Sequence, residues 1–184
     1  KGVTLSSASS NTRYGKRDDS LAIAIPSESM LSGKFTTNKL KAAPVVLAAQ
    51  NLQKLSSGNK ILLVNAGNAN AANGPSGLKD VKKYCREIAS YLRVKEENII
   101  PFSTGVIGEK LPVDEYLVAF KKALENLNDN GWKKAASAIL TTDTKPKIVS
   151  KLIKVGKTSY KVTGFAKGSG MIRPDFATLL SFVF

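Results

Sequence analysis

Apolar positions along this chain follow two periods, and the switches between them mark its elements. LAIAI at 21–25 is a short unbroken apolar run closed by Pro26, the pattern of a buried strand. GKFTT at 33–37 alternates and is rich in β-formers, which predicts a second strand. A helix is expected from about Asn38, with Pro44 in its first turn and Val45, Val46, Ala49, Leu52 and Leu55 on one face. ILLVN at 61–65 and NIIPF at 98–102 read as two more buried strands. Between them, Leu78, Val81, Tyr84, Cys85, Ile88 and Leu92 recur at helical spacing over 76–92. Val113, Tyr116, Leu117, Phe120, Leu124 and Leu127 give a further amphipathic helix, with Asn130-Gly131 as its stop. Trp132, Ala135, Ala136 and Ile139 suggest a shorter one. Residues 152–162 read as a hairpin turning near Gly156-Lys157, and 177–184 as a last apolar run. The first 20 residues are polar and turn-rich. Mixed elements without strict alternation predict an α/β or α+β layered domain, with no internal boundary along 1–184.

Composition narrows the chemistry. The chain has 184 residues, no histidine and one cysteine, Cys85. A Ser-His-Asp triad, a Cys-His dyad and the usual His/Cys zinc site are therefore excluded, and no metal is expected. Cys85 falls on a helical apolar stripe and reads as core. An intrachain disulfide is excluded, which fits a reducing compartment. No run approaches the roughly 20 apolar residues of a membrane span, so no membrane partner is expected. The net charge of +14 favours anionic partners or substrates. The lysines are scattered over polar faces with few aromatics between them, so a solvated basic surface, not nucleic-acid binding, is expected.

Candidate chemistry lies where strands end. The loop at 66–77 holds small and amide residues after Asn65; it reads equally as a turn-rich connector or as a pocket wall with amide donors. Thr104-Gly105 follows the 98–102 strand and suits either a β-turn or a hydroxyl and backbone N–H aimed into a site. TTDT at 141–144 either caps a helix or presents hydroxyls. The stretch at 164–180 passes Gly168, Gly170 and Pro174, with Lys167 inside the expected turn. Without histidine, one route to a nucleophile is a threonine activated by its own α-amine, whose pKa of about 7.7–8.0 leaves it substantially neutral near physiological pH. That route needs a cut before an internal threonine. Ala177-Thr178, a small residue then threonine, meets the requirement.

Five segments taken together resemble the ornithine acetyltransferase family, the bifunctional glutamate N-acetyltransferases of arginine biosynthesis. They are FTTNKLKAAPV at 35–45, VNAGNANAANG at 64–74, STGVIGE at 103–109, TTDTKPK at 141–147 and AKGSGMIRPDFATLLSF at 166–182. The resemblance implies an α-β-β-α sandwich with mixed sheets, of the self-processing N-terminal-nucleophile type. It implies self-cleavage between Ala177 and Thr178, so that 1–177 forms the α chain and 178–184 begins the β chain. Thr178 would then carry the acetyl group from N-acetylornithine to glutamate. Thr104 and Gly105 match the oxyanion-hole pair, Lys167 a substrate-binding lysine, and Thr141, with Thr142 beside it, a substrate-binding threonine. A second segment of comparable length is expected to follow and to supply the β chain of an assembly of two α and two β chains. No cofactor is implied, with acetyl-CoA a candidate co-substrate. The location expected is the cytoplasm, or the mitochondrial matrix for a fungal source. A related self-processing aminopeptidase or amidase is the rival enzyme reading, and a basic binding protein the non-enzymatic one.

Overall fold

The structure is a computed structural model and describes residues 2–168, 170 and 179–184. The strands are β1 (Thr4–Ala8), β2 (Ser20–Ile25), β3 (Lys60–Asn68), β4 (Ile99–Val106), β5 (Lys147–Val155), β6 (Thr158–Lys167) and β7 (Leu180–Val183). The α-helices are α1 (Ala43–Gln53), α2 (Gly74–Leu92), α3 (Val113–Glu125) and α4 (Trp132–Ala138). The first sheet has the order β1-β2-β3-β4 and is mixed: β1, β2 and β3 run antiparallel, β3 and β4 parallel. β5, β6 and β7 form a second, antiparallel sheet.

Strand alternation builds two cores. In β2 and β3, Ala22, Ile61 and Leu63 face α2 and α3, where Val81, Tyr84, Ile88, Tyr116 and Phe120 pack. Their neighbours Leu21, Ile23, Leu62 and Val64 face the second sheet and α4, meeting Phe165, Phe182 and Ile139. The sequence periods of α2 and α3 are thus the faces that are buried. Cys85 lies in the first core, as expected. The expected α/β class with layered sheets is borne out. α2 and α3 cover one face of the first sheet, and the second sheet and α4 lie on the other. The outer face of that second sheet carries exposed Val149, Ile153, Val155, Tyr160 and Val183. No helix among the described residues is long and apolar enough to cross a membrane.

Several expectations need correction. GKFTT at 33–37 is not a strand; Phe35 packs on the second core without joining a ladder. The polar N-terminus contains β1, an edge strand in which Ser7 Oγ donates to Asp18 Oδ2 at 2.7 Å. α1 starts at Ala43, and its buried residues are Pro44, Leu47, Ala48 and Asn51, a face rotated from the expected one. The 152–162 hairpin is longer on both sides, and β6 continues through Lys167.

Candidate active site

β3 and β4 run side by side in register through Asn65↔Ser103, Ala66↔Thr104 and Gly67↔Gly105, then become irregular at Asn68. The approach is close. A Cβ on Gly105, whose φ is +136°, would lie 2.2 Å from the Gly67 carbonyl carbon and 2.5 Å from the Asn68 nitrogen. Only glycine fits there. Thr104 and Gly105 therefore belong to a strand end, and the turn alternative is set aside.

Period-2 geometry selects which side chains enter the space between the sheets. Ile100, Phe102 and Thr104 share one face of β4, and Phe165 and Lys167 one face of β6. Phe102, Phe165 and Phe182 form an aromatic seam, with ring centroids 5.1 Å apart for Phe102–Phe182 and 5.2 Å for Phe165–Phe182. One step further along each strand the seam gives way to polar groups. Lys167 Nζ donates to Thr104 Oγ1 at 3.0 Å, with Lys167 only 2 % exposed. Burial pushes this ammonium below the ordinary lysine value; Asp143 opposes that effect and Lys147 adds to it.

The contact forms part of the wall of a cavity of about 620 Å³. Thr104, Gly105, Thr141, Thr142 and Lys167 all line it. Five of the residues singled out from the sequence are thus brought together from β4, β6 and the segment after α4. Lys167 sits at the last position of β6 and not inside a turn. Ala177 and Thr178 lie outside the described residues, but Leu179, which follows Thr178 in the chain, also lines the cavity. Among the described residues β4 is the edge of its sheet, so backbone groups on its outer side have no strand partner there, and residues along β4 line the cavity.

The asparagine-rich loop resolves in favour of architecture. Asn65 Nδ2 donates to the Asn68 carbonyl at 2.7 Å, and Asn65 Oδ1 accepts from Ser103 Oγ at 2.5 Å. Asn68 Nδ2 reaches the Glu109 and Lys110 carbonyls, and Asn70 Nδ2 the Gly77 carbonyl. These amides are occupied with backbone, and the loop shows the cavity Ala69 and Ala71. Sequence reasoning passed over Asp143. Its side chain is 4 % exposed, and its Oδ1 accepts from Lys147 Nζ and from the Gly168 N–H, both at 2.7 Å. Burial acts to raise its pKa, but these bonds and the nearby lysines outweigh it and hold the carboxyl below the usual range. The available signal was an acidic residue four positions before a lysine inside TTDTKPK. Among the described residues no group of three or more Cys, Asp or Glu side chains could hold a metal ion.

Comparison with known proteins agrees with this geometry. The profile of the ArgJ family matches residues 4–184. The bifunctional arginine-biosynthesis protein ArgJ of Colwellia psychrerythraea is 43 % identical over 192 residues, covering 100 % of this chain and 45 % of that protein. Its counterpart in Methylococcus capsulatus is 42 % identical over 182 residues, covering 99 % of this chain and 44 % of that one. The chain spans just under half the length of these curated relatives. The crystal structure of the bifunctional ArgJ protein of Bacillus halodurans superposes with a TM-score of 0.81 at 31 % identity, over 98 % of this chain and 92 % of that one. An ornithine acetyltransferase from Mycobacterium tuberculosis, solved in complex with ornithine, gives 0.79 at 27 % identity, over 97 % and 93 %. With a match along nearly its whole length, the chain belongs to the ArgJ family.

Proposed function

We propose that this chain is the first part of an acyltransferase that moves an acetyl group from N-acetylornithine to glutamate through an acetyl-threonine at Thr178. The observation that supports it most is the Lys167–Thr104 contact inside a cavity that Gly105, Thr141, Thr142 and Leu179 also line. In this reading the chain is cut between Ala177 and Thr178, and the new α-amine takes the proton of the Thr178 hydroxyl. The hydroxyl oxygen attacks the acetyl carbonyl. The Thr104 hydroxyl and the Gly105 N–H receive the charge that develops on the acetyl oxygen, a role commonly worth about 3 kcal/mol per donor. The C–N bond breaks, and the α-amine of ornithine leaves with the proton. The α-amine of glutamate then attacks the acetyl-threonine, restoring the free hydroxyl and releasing N-acetylglutamate.

The electrostatics suit such substrates. Lys167 and Lys147 against the single carboxylate of Asp143 leave the cavity's edge net positive, matching α-carboxylates. Acetyl-CoA as a second acetyl donor, a cytoplasmic location and an assembly of two α and two β chains belong to the same reading. The bare apolar outer face of β5–β7 is where we place the β chain, as the sandwich's fourth layer.

An intact-mass measurement of the full-length gene product under denaturing conditions tests the reading, followed by an assay of acetyl transfer. Two masses meeting at Ala177/Thr178, and a single mass for Thr178→Ala, are expected. One unbroken mass in active protein overturns the N-terminal-threonine mechanism, and release of acetate instead of transfer to glutamate overturns the transferase.

A further inference from the structure

Asp143 is a charged group beside the cavity to which the reaction above gives no role. Its carboxylate is nearly enclosed, yet both of its bonds go to one oxygen. Oδ2 is buried and has no hydrogen-bond partner among the described residues. Among the described residues this leaves an enclosed charged acceptor unsatisfied on one side, a costly placement. The position explains more. Asp143 Oδ1 joins Lys147, the first residue of β5, to the N–H of Gly168, which follows the last residue of β6. Lys147 pairs with Ala166 across that ladder, and Lys167 pairs with Leu180 of β7. The clamp thus closes the end of the second sheet at the residue that donates to Thr104.

We infer that Asp143 is a positioning residue for the acyl-transfer site: by clamping Gly168 and Lys147 it fixes the end of β6 and holds the Lys167 ammonium, charged, on Thr104 Oγ1. The inference rests on the acetyltransferase reading for its kinetic consequence but not for its charge logic. Among the described residues, the charged groups facing Lys167 are Asp143 and Lys147, and Thr104 is its neutral partner. Asp143 favours the protonated amine and Lys147 disfavours it. Removing one or the other must therefore displace the titration of Lys167 in opposite directions. A residue that merely stabilises the fold would not do this.

The experiment uses the full-length protein, wild type and with Asp143→Asn, Asp143→Ala or Lys147→Met. Acetyl transfer from N-acetylornithine to glutamate is followed against pH. In parallel, the pH dependence of Lys167 acylation by acetic anhydride is read by mass spectrometry. Asp143→Asn keeps an acceptor for Gly168 but loses the charge. Its alkaline limb and its labelling midpoint should move to lower pH by about one unit. Lys147→Met should move both to higher pH. Asp143→Ala loses the clamp as well, and its kcat should fall about tenfold further with little change in KM, as expected of a misplaced group. Midpoints that stay at the wild-type value in both single-charge variants overturn the inference, as does an even loss of rate at every pH. If the wild type transfers no acetyl group, the proposed function fails by itself, and the labelling midpoints still decide the role of Asp143.

Discussion

Replacing Gly105 by alanine tests the strand-end geometry on which the site depends. The new Cβ would lie 2.2 Å from the Gly67 carbonyl carbon, 2.5 Å from the Asn68 nitrogen and 2.6 Å from the Gly67 oxygen. Heavy atoms in contact prefer about 3.5 Å, so the ends of β3 and β4 must part by roughly 1 Å. A side chain at this φ costs about 1–3 kcal/mol. Each backbone bond lost at the parted end adds about 1 kcal/mol. Together these give a loss of about 3 kcal/mol, read by chemical denaturation of the full-length protein. The separation also displaces Thr104, and a misplacement of about 1 Å lowers turnover by about a hundredfold. Gly108→Ala is the control. Gly108 has φ +81° but nothing within 4 Å of the added Cβ, so it carries the strain without the clash. It should cost about 1 kcal/mol. Equal damage from both substitutions, or a Gly105→Ala protein with wild-type stability and turnover, would refute the close-approach argument.

Three further outcomes are expected. Thr104→Ala should lower kcat by about a hundredfold or more with KM nearly unchanged, because its hydroxyl serves charge that exists only in the transition state; steady-state kinetics showing a change in KM alone would count against it. Asn65→Ala, at a site with no solvent exposure, strips the Asn68 carbonyl and the Ser103 hydroxyl of partners and should cost about 2 kcal/mol in chemical denaturation. Burial lowers the Lys167 pKa, and the charged form is the one that donates to Thr104; the Lys167 contribution should therefore be lost as pH rises through a value below the ordinary lysine range, giving an alkaline limb, while protonation of the α-amine base sets a separate acid limb, and a pH–rate profile locates both.

How far the fold was legible follows from what each element uses to hold itself. α2 and α3 bury continuous apolar faces, so their periods gave them away. β3 and the start of β4 are buried on both faces and read as unbroken apolar runs. β1 escaped because TLSSA has no apolar alternation: Ser6 is buried, and Ser7 is settled by its bond to Asp18. GKFTT misled for the opposite reason: its pattern is strand-like, but no neighbouring strand offers a ladder, and β-propensity without a partner does not make a strand. Of the site, Thr104, Gly105, Thr141, Thr142 and Lys167 were found by motif, and the structure shows what motif could not, that they share one cavity. Asp143 stayed hidden because its partners are a backbone N–H 25 residues away and a lysine that looked like surface charge.

The aromatic seam explains why stability and site geometry cannot be separated in this fold. Phe102 and Thr104 lie on the same face of β4, two residues apart, and Phe165 and Lys167 stand in the same relation on β6. The rings that hold the sheets together therefore also set the gap that Lys167 Nζ must cross to reach Thr104 Oγ1 at 3.0 Å. A change in packing between Phe102, Phe165 and Phe182 shifts one strand against the other and is transmitted over a single pleat to the polar pair. The donation has a chemical consequence. An ammonium bonded to the threonine oxygen leaves the Thr104 hydroxyl proton free and draws electron density from it, which strengthens it as a donor. In the proposed reaction Lys167 would act on the acetyl oxygen through Thr104 as well as on a carboxylate directly, and the two roles would share one requirement, that the amine stay charged despite its burial. Asp143, set on the neighbouring segment, is the group whose charge opposes that burial.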